Sequence, residues 1–215
     1  MANDALTDPE TGAQAARWDA RYAAAQGGLF GDAPSEWLRM ALARSDAPSG
    51  RALALADGDG RNGSWLAARG FAVTAVDLSA EATARAAARD RAAGVAVDRI
   101  TADLSVWAPP LGRRWDLAAI LHLHGSRALR LRALRLAAEA LAPGGALLLE
   151  GFATAQAGAA MGPDDPDKLW DLEEALAETA DLAQIEALTG RVRLDEGPRH
   201  AGLAAVVRLL ARRPS

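Results

Sequence analysis

Cysteine is absent from the 215 residues, which excludes disulfides, thiolate metal sites and a cysteine nucleophile and fits a reducing compartment. No apolar run reaches the roughly 18 residues needed to span a bilayer. The opening Met1-Ala2-Asn3-Asp4-Ala5-Leu6-Thr7-Asp8 carries acid where a secretory signal carries base, so the expected location is the cytoplasm, with no membrane partner. Charge of one sign is never concentrated. The 24 basic and 28 acidic residues leave a formal net charge of −4, without the basic stripe of a protein that follows phosphate backbones, and nucleic acid is not an expected partner.

What the chain does have is alanine. Half of its residues are hydrophobic, but so many of them are Ala, which favours helix, that the bulk of a core must come from Leu, Val, Ile and the six Trp. The length suits one domain over 1–215, with 1–45 as an N-terminal helical segment and 51–213 as an α/β core. A helix is expected over 13–25, with Trp18 and Tyr22 four residues apart on one face. Gly27-Gly28 breaks it, Pro34 suits the first turn of a second helix over 35–43, and 46–50 is a loop.

From Arg51 short apolar runs alternate with helical stretches, the pattern of a mostly parallel sheet. Strands are expected at 52–57, 72–77, 99–102, 115–121 and 146–152, and helices at 62–69, 80–93, 127–141 and 169–178. Two last runs, 182–188 and 203–211, are joined by 191–198, too short for a covering helix, so they should pair antiparallel. Arg127, Arg130, Arg132 and Arg135 share one helix and read as a solvated face. Trp65, Trp107 and Trp115 read as packing residues, and the Gly- and Pro-rich loop 153–167 as the border of a ligand site. There is no internal repeat.

The chemistry gathers at the strand ends. Gly58, Gly60 and Gly63 fit G-x-G-x-x-G between a strand and a helix, where backbone must approach a ligand closely. Asp77 ends the next strand, where a carboxylate can accept both hydroxyls of a ribose, and Asp103 ends the one after. Ligands of open α/β sheets bind at that edge. A dinucleotide places a pyrophosphate against the glycine turn and requires helix N–H groups free of nearby negative charge. Asp57 and Asp59 flank Gly58, an arrangement better matched to S-adenosylmethionine, whose ammonium and sulfonium are cationic on balance.

The segment Leu53-Ala54-Leu55-Ala56-Asp57-Gly58-Asp59-Gly60-Arg61-Asn62-Gly63-Ser64-Trp65, followed by Val73-Thr74-Ala75-Val76-Asp77-Leu78-Ser79, resembles the first two motifs of class I S-adenosylmethionine-dependent methyltransferases, in particular the small tellurite-resistance and thiopurine methyltransferase-like branch. Asp103-Leu104, Trp115-Asp116-Leu117, Leu141-Ala142-Pro143-Gly144-Gly145 and Glu196-Gly197-Pro198-Arg199-His200-Ala201-Gly202 extend the likeness over roughly 18–213. The resemblance implies a doubly wound Rossmann-like α/β fold, a seven-stranded mixed sheet of order 3-2-1-4-5-7-6 with strand 7 antiparallel and an N-terminal helical lid. It also implies that Ala56, Asp57, Gly58, Gly60 and Asn62 lie against the methionine portion of the cofactor and that Asp77 takes the ribose. Leu78, Asp103 and Leu104 would hold adenine, Leu121 and His122 would line the methionine side, and Trp18, Arg21 and Tyr22 would close the site. Two positions depart from the motif: its first glycine is Ala56, and the acid often found two residues earlier is Ala54.

Methyl transfer from a sulfonium is an in-line displacement on an activated electrophile, so the protein supplies positioning and, for a protonated acceptor, a general base. Histidine suits that role. The chain has three, and His122 and His200 are the catalytic candidates. His122-x-His124 offers two metal ligands without an assigned third, so no metal is expected. The expected function is therefore S-adenosylmethionine-dependent methyl transfer to a small-molecule acceptor, by a monomer or homodimer. One alternative is a nicotinamide-dependent oxidoreductase, favoured by G-x-G-x-x-G and Asp77, although the single Tyr and single Lys are far apart in the chain. The other is a non-catalytic binding module of the same fold, favoured by Ala54 and Ala56.

Overall fold

A computed structural model describes residues 9–44 and 49–215; the expectations for the opening stretch 1–8 and for most of the loop at 46–48 lie outside the described residues. The elements in chain order are α1 (Pro9–Ala23), α2 (Glu36–Leu42), β1 (Gly50–Leu55), α3 (Arg61–Ala67), β2 (Phe71–Asp77), α4 (Ala80–Ala93), β3 (Val97–Thr101), β4 (Trp115–Leu121), α5 (Arg127–Ala140), β5 (Leu141–Phe152), α6 (Leu172–Glu178), β6 (Ala183–Gly197) and β7 (His200–Arg212).

The seven strands form one sheet of order β3-β2-β1-β4-β5-β7-β6. β1 to β5 run parallel, and β7 is antiparallel to both β5 and β6. The order reverses between β1 and β4, which opens a crevice at their C-terminal ends.

Alternation along the strands sorts the core into two layers. Leu53 and Leu55 of β1 face Leu134 and Ala137 of α5. Ala52 and Ala54, with Ala75 and Ala119 of the neighbouring strands, form a shallow alanine face, and the bulk it lacks comes from Trp37 and Leu38 of α2 and Leu66 of α3. Trp37 is fully buried there. The alanine bias thus creates the room that α2 fills.

Three expectations are corrected. β6 continues through the segment expected to be a connection, because Val192 and Leu194 turn inward while Arg191, Arg193 and Asp195 turn out, a period-2 pattern that charge had disguised. β5 starts five residues early, at Leu141, with a register irregularity opposite Trp115 and Leu117. The arginines of α5 are not one solvated face. Arg127 and Arg135 make exposed pairs with Glu174 and Glu178. Arg130, in contrast, shares the inward stripe with Leu134 and Ala137 and is buried, donating to the carbonyls of Gly125 and Asp167 with its guanidinium 4.9 Å from the Trp170 ring centre. Arg132 donates to the carbonyls of Leu104 and Trp107. Trp115 is fully buried, as expected of a packing residue. No described helix is long and apolar enough to cross a membrane.

α1 crosses the C-terminal edge of the sheet. Asp19 accepts from Ser79 Oγ and Glu81 N at the start of α4, where a carboxylate also meets the positive end of the helix dipole. Arg85 of α4 donates to the carbonyls of Tyr22, Ala25 and Gly27 at the end of α1.

Candidate active site

The chain leaves β1 through Ala56 (φ 55°) and β4 through His122 (φ 57°), the non-glycine residues with positive φ among those described. Left-handed backbone at non-glycine residues is uncommon and tends to mark functional turns, and here both examples border the crevice. Beyond Ala56 the turn packs tightly. A Cβ on Gly58 would collide with Tyr22 Oη, and one on Gly60 (φ 84°) would lie 2.7 Å from Ala86 Cβ.

A cavity opens over this turn. It is lined by Trp18, Ala56, Asp57, Gly58, Asn62, Asp77, Leu78, Asp103, Leu104, Leu121, His122 and His200, together with Tyr22 and Phe30. These are the expected site residues save two: Gly60 lies behind the turn, and Arg21 lines a neighbouring cavity, its guanidinium 4.9 Å from the Trp18 ring centre.

Asp77 accepts from Gly58 N at 2.8 Å with one carboxylate oxygen and from Ser79 N at 2.9 Å with the other. Each oxygen keeps a further lone pair for a ligand hydroxyl. Burial, with Asp57 and Asp59 nearby, pushes its pKa up to about 6 against those two hydrogen bonds. Tyr22 is raised well above its ordinary value by burial and the same acids.

Asp57 and Asp59 are tied into the fold and do not stand free beside the turn, contrary to the expectation from sequence. Asp57 Oδ1 accepts from Gly63 N and Oδ2 pairs with Arg99 at 2.5 Å, while Arg99 also grips Asp90 through Nε and Nη2, each at 2.9 Å. Asp59 takes Leu29 N at 3.0 Å. Both acids thus have partners inside the fold and hold the turn in place. Asn62 likewise accepts from Ser35 N, and Asp103 accepts from Thr11 Oγ1 and from Ser105 N and Oγ.

Across the cavity, His122 and His200 approach to 4.2 Å between ring centres. Each has a buried carboxylate behind it. His200 Nδ1 lies 3.4 Å from Glu196 Oε2, and Glu196 is itself held by Arg61 at 2.7 Å and by Glu36 N. His122 Nε2 lies 3.4 Å from Glu150 Oε2, and Glu150 is held by Arg208 at 2.7 Å and Ser35 Oγ. His200 Nε2 is buried without a partner. Burial and the neighbouring His122 lower the His200 pKa to about 4, and burial with the other two imidazoles lowers His124 to about 3. Burial alone would raise Glu150, but His122 and Arg208 hold it below the usual carboxylate range.

His122, Glu196 and His200 also place ligand atoms within 4.8 Å of one another, a different set from His122-x-His124, since His124 is not part of it. Arg61, however, occupies the Glu196 oxygen that faces His200 and sets a fixed positive charge beside that position.

Sequence reasoning assigned no role to Glu150, Arg208, Glu196, Arg61 or Arg99. A signal for the first pair was present: Glu150 is the lone acid in the apolar run of β5, Arg208 the lone base in that of β7, and the register sets them opposite each other.

The fold defines a Rossmann-like domain with an open crevice at its switch point, where such sheets bind their ligands. Residues 52–145 match the model of the methyltransferase domain family. No curated protein matches the chain in sequence. Among solved structures, N-methyltransferase NodS from Bradyrhizobium japonicum WM9 in complex with S-adenosyl-l-homocysteine is 17% identical with a TM-score of 0.66, over 94% of this chain and 98% of that one. TehB from Haemophilus influenzae is 16% identical with a TM-score of 0.66, over 81% and 60%. A structure reported for conversion of a disulfide bond into a thioacetal group during echinomycin biosynthesis is 18% identical with a TM-score of 0.69, over 95% and 91%. The likeness to these solved structures is one of fold, and the sheet order with β7 reversed is that of the Rossmann-like methyltransferase fold.

Proposed function

We propose that the protein transfers the methyl group of S-adenosylmethionine to a small-molecule acceptor, with His200 as the group that takes the acceptor's proton. The observation that carries this reading is the ordered relay Arg61–Glu196–His200, whose imidazole lines the same cavity as Gly58 and Asp77 and keeps a buried Nε2 without a hydrogen-bond partner.

The residues present fit the cofactor. Gly58 lets the turn pass close under Tyr22 Oη, where a Cβ would collide, Asp77 offers two acceptor oxygens to the ribose hydroxyls, and Leu78 and Leu104 supply apolar walls for adenine. When bound, the cofactor supplies a methyl group on a positively charged sulfur, which needs no further activation. The protein's work is then to aim the acceptor and exclude water. Glu196 accepts from His200 Nδ1 and fixes the tautomer that leaves Nε2 free to accept a proton. With the cofactor bound, His200 Nε2 would take the proton that the acceptor atom loses as it is methylated. Glu196 stabilises the imidazolium so formed. Because Arg61 already satisfies the same carboxylate oxygen, the cluster is better suited to this transient proton than to a divalent cation.

Calorimetry with S-adenosylhomocysteine tests the first half, and Asp77→Ala should weaken that binding at least tenfold. His200→Ala should lower kcat by about 10²–10⁴ with an acceptor that must lose a proton, while leaving cofactor binding intact. Full activity in that variant would remove His200 from the mechanism.

A further inference from the structure

A second cavity, of about 320 Å³, adjoins the first and falls in the range of small-molecule sites. The two share Gln14, Trp18, Phe30, His124 and His200, so the catalytic imidazole belongs to both. We infer that this second cavity is the acceptor site and that it takes an organic acid, a molecule with a carboxylate on a flat, apolar body. The inference rests on the proposed methyl transfer and names its substrate class.

Charge is the first argument. The wall of the cofactor cavity carries Asp57, Asp59, Asp77 and Asp103, of which Asp57 is paired with Arg99, and its Arg61 is paired with Glu196. The second cavity carries Arg17, Arg21, Lys168 and Arg199 against Asp164 and Asp165, so its lining has a formal charge of 4 − 2 = +2 in a chain whose net charge is −4. Lys168 pairs with Asp165 at 3.2 Å, whereas no carboxylate pairs with Arg17, Arg21 or Arg199 among the described residues. A charge that needs no partner for stability is available to a ligand, and guanidinium groups match a carboxylate in shape.

Placement is the second argument. Gln14, Arg17, Trp18 and Arg21 stand at i, i+3, i+4 and i+7 of α1 and therefore share one face, which the helix presents to this cavity. Arg199 comes from the turn between β6 and β7, one residue before His200. The cations thus ring a mouth whose floor holds Phe30, His124, Phe152 and His200, and these rings lie 4.8 to 6.1 Å apart between centres. A planar body can lie among such rings with its carboxylate at the arginines and its nucleophilic atom toward His200.

The test titrates the protein loaded with S-adenosylhomocysteine against 4-hydroxybenzoate, 4-hydroxybenzamide and tyramine, which share a phenol and differ in charge. The carboxylate should bind at least tenfold more tightly than either analogue, and Arg17→Gln with Arg199→Gln should abolish that advantage without altering S-adenosylhomocysteine affinity. Equal binding of the three, a preference for tyramine, no carboxylate binding at millimolar concentration, or an advantage that survives the double substitution overturns the inference. Failure of S-adenosylhomocysteine to bind at the outset would instead overturn the proposed methyl transfer, so the two failures are distinguishable.

Discussion

Ala56 sits where a left-handed residue is required, and an L side chain there costs roughly 1 kcal/mol or more relative to glycine in the folded state. Ala56→Gly removes that strain but enlarges the entropy of the unfolded chain by a smaller amount, so the variant should unfold at a higher urea concentration, by up to about 1 kcal/mol. A lower midpoint would mean that the Ala56 methyl makes packing contacts that outweigh the strain. Asp77 gives the second test at this scale. Its raised pKa of about 6 means that the free protein protonates it as pH falls through 6, whereas ribose hydroxyls need an acceptor. Affinity for S-adenosylhomocysteine should therefore be flat above pH 6 and fall about tenfold per unit well below it, and Asp77→Asn should abolish the dependence. Calorimetry between pH 5 and 8 decides it. The turn itself was legible in the sequence because Gly58, Gly60 and Asp77 stand next to elements of fixed type. The partners of its acids were not, since Asp57 meets Arg99 across 42 residues and nothing local marks either as a member of a pair.

At the scale of elements, that pairing is what holds the turn to the sheet. Arg99 reaches from β3 to Asp57 beyond β1 and to Asp90 of α4, with all three side chains more than nine-tenths buried. Removing the arginine leaves two buried carboxylates without a cation, a loss of about 3–5 kcal/mol for a broken buried pair. Arg99→Ala should thus lower stability by several kcal/mol, a larger effect than Arg44→Ala, which breaks the half-exposed pair with Glu186 and should stay within about 1 kcal/mol. Comparable urea midpoints for the two variants would show that the buried network is not what anchors the turn. Elements with a strong period were legible: α4 and β4 fall where the sequence placed them, the first between Ser79 and Gly94, which cap its ends. β6 was not, because its outward positions are charged and its inward ones are only partly covered, so the alternation carries little hydrophobic contrast. Arg130 misled for a different reason. A guanidinium on the inward stripe of a helix looks solvated until Trp170 and the carbonyl oxygens of Gly125 and Asp167 are known to meet it.

For the molecule as a whole, the gathering of three imidazoles against Phe30 and Phe152 has a consequence for acid stability. His200 and His124 titrate at about 4 and about 3 in the fold, against 6.5 unperturbed, so as pH drops below 6.5 the unfolded chain takes up these protons first. Stability tied to the two neutral rings is therefore fully present above pH 6.5 and is lost progressively toward pH 4 and then 3. Asp77 acts in the opposite sense, because its folded value of about 6 exceeds its unperturbed 3.8, but it is one group against two and its window opens only below the point where the histidines have begun to act. The cofactor-free protein should accordingly show a urea midpoint that declines from pH 7 to 5.5 and again to 4.5. His124→Phe, which keeps the ring contacts with Trp18, Phe30 and Phe152 but cannot be protonated, should make that decline shallower. A midpoint that is constant or rises on acidification would mean that these imidazoles reach solvent in the folded state, and would remove the dry wall on which the proposed proton transfer to His200 depends.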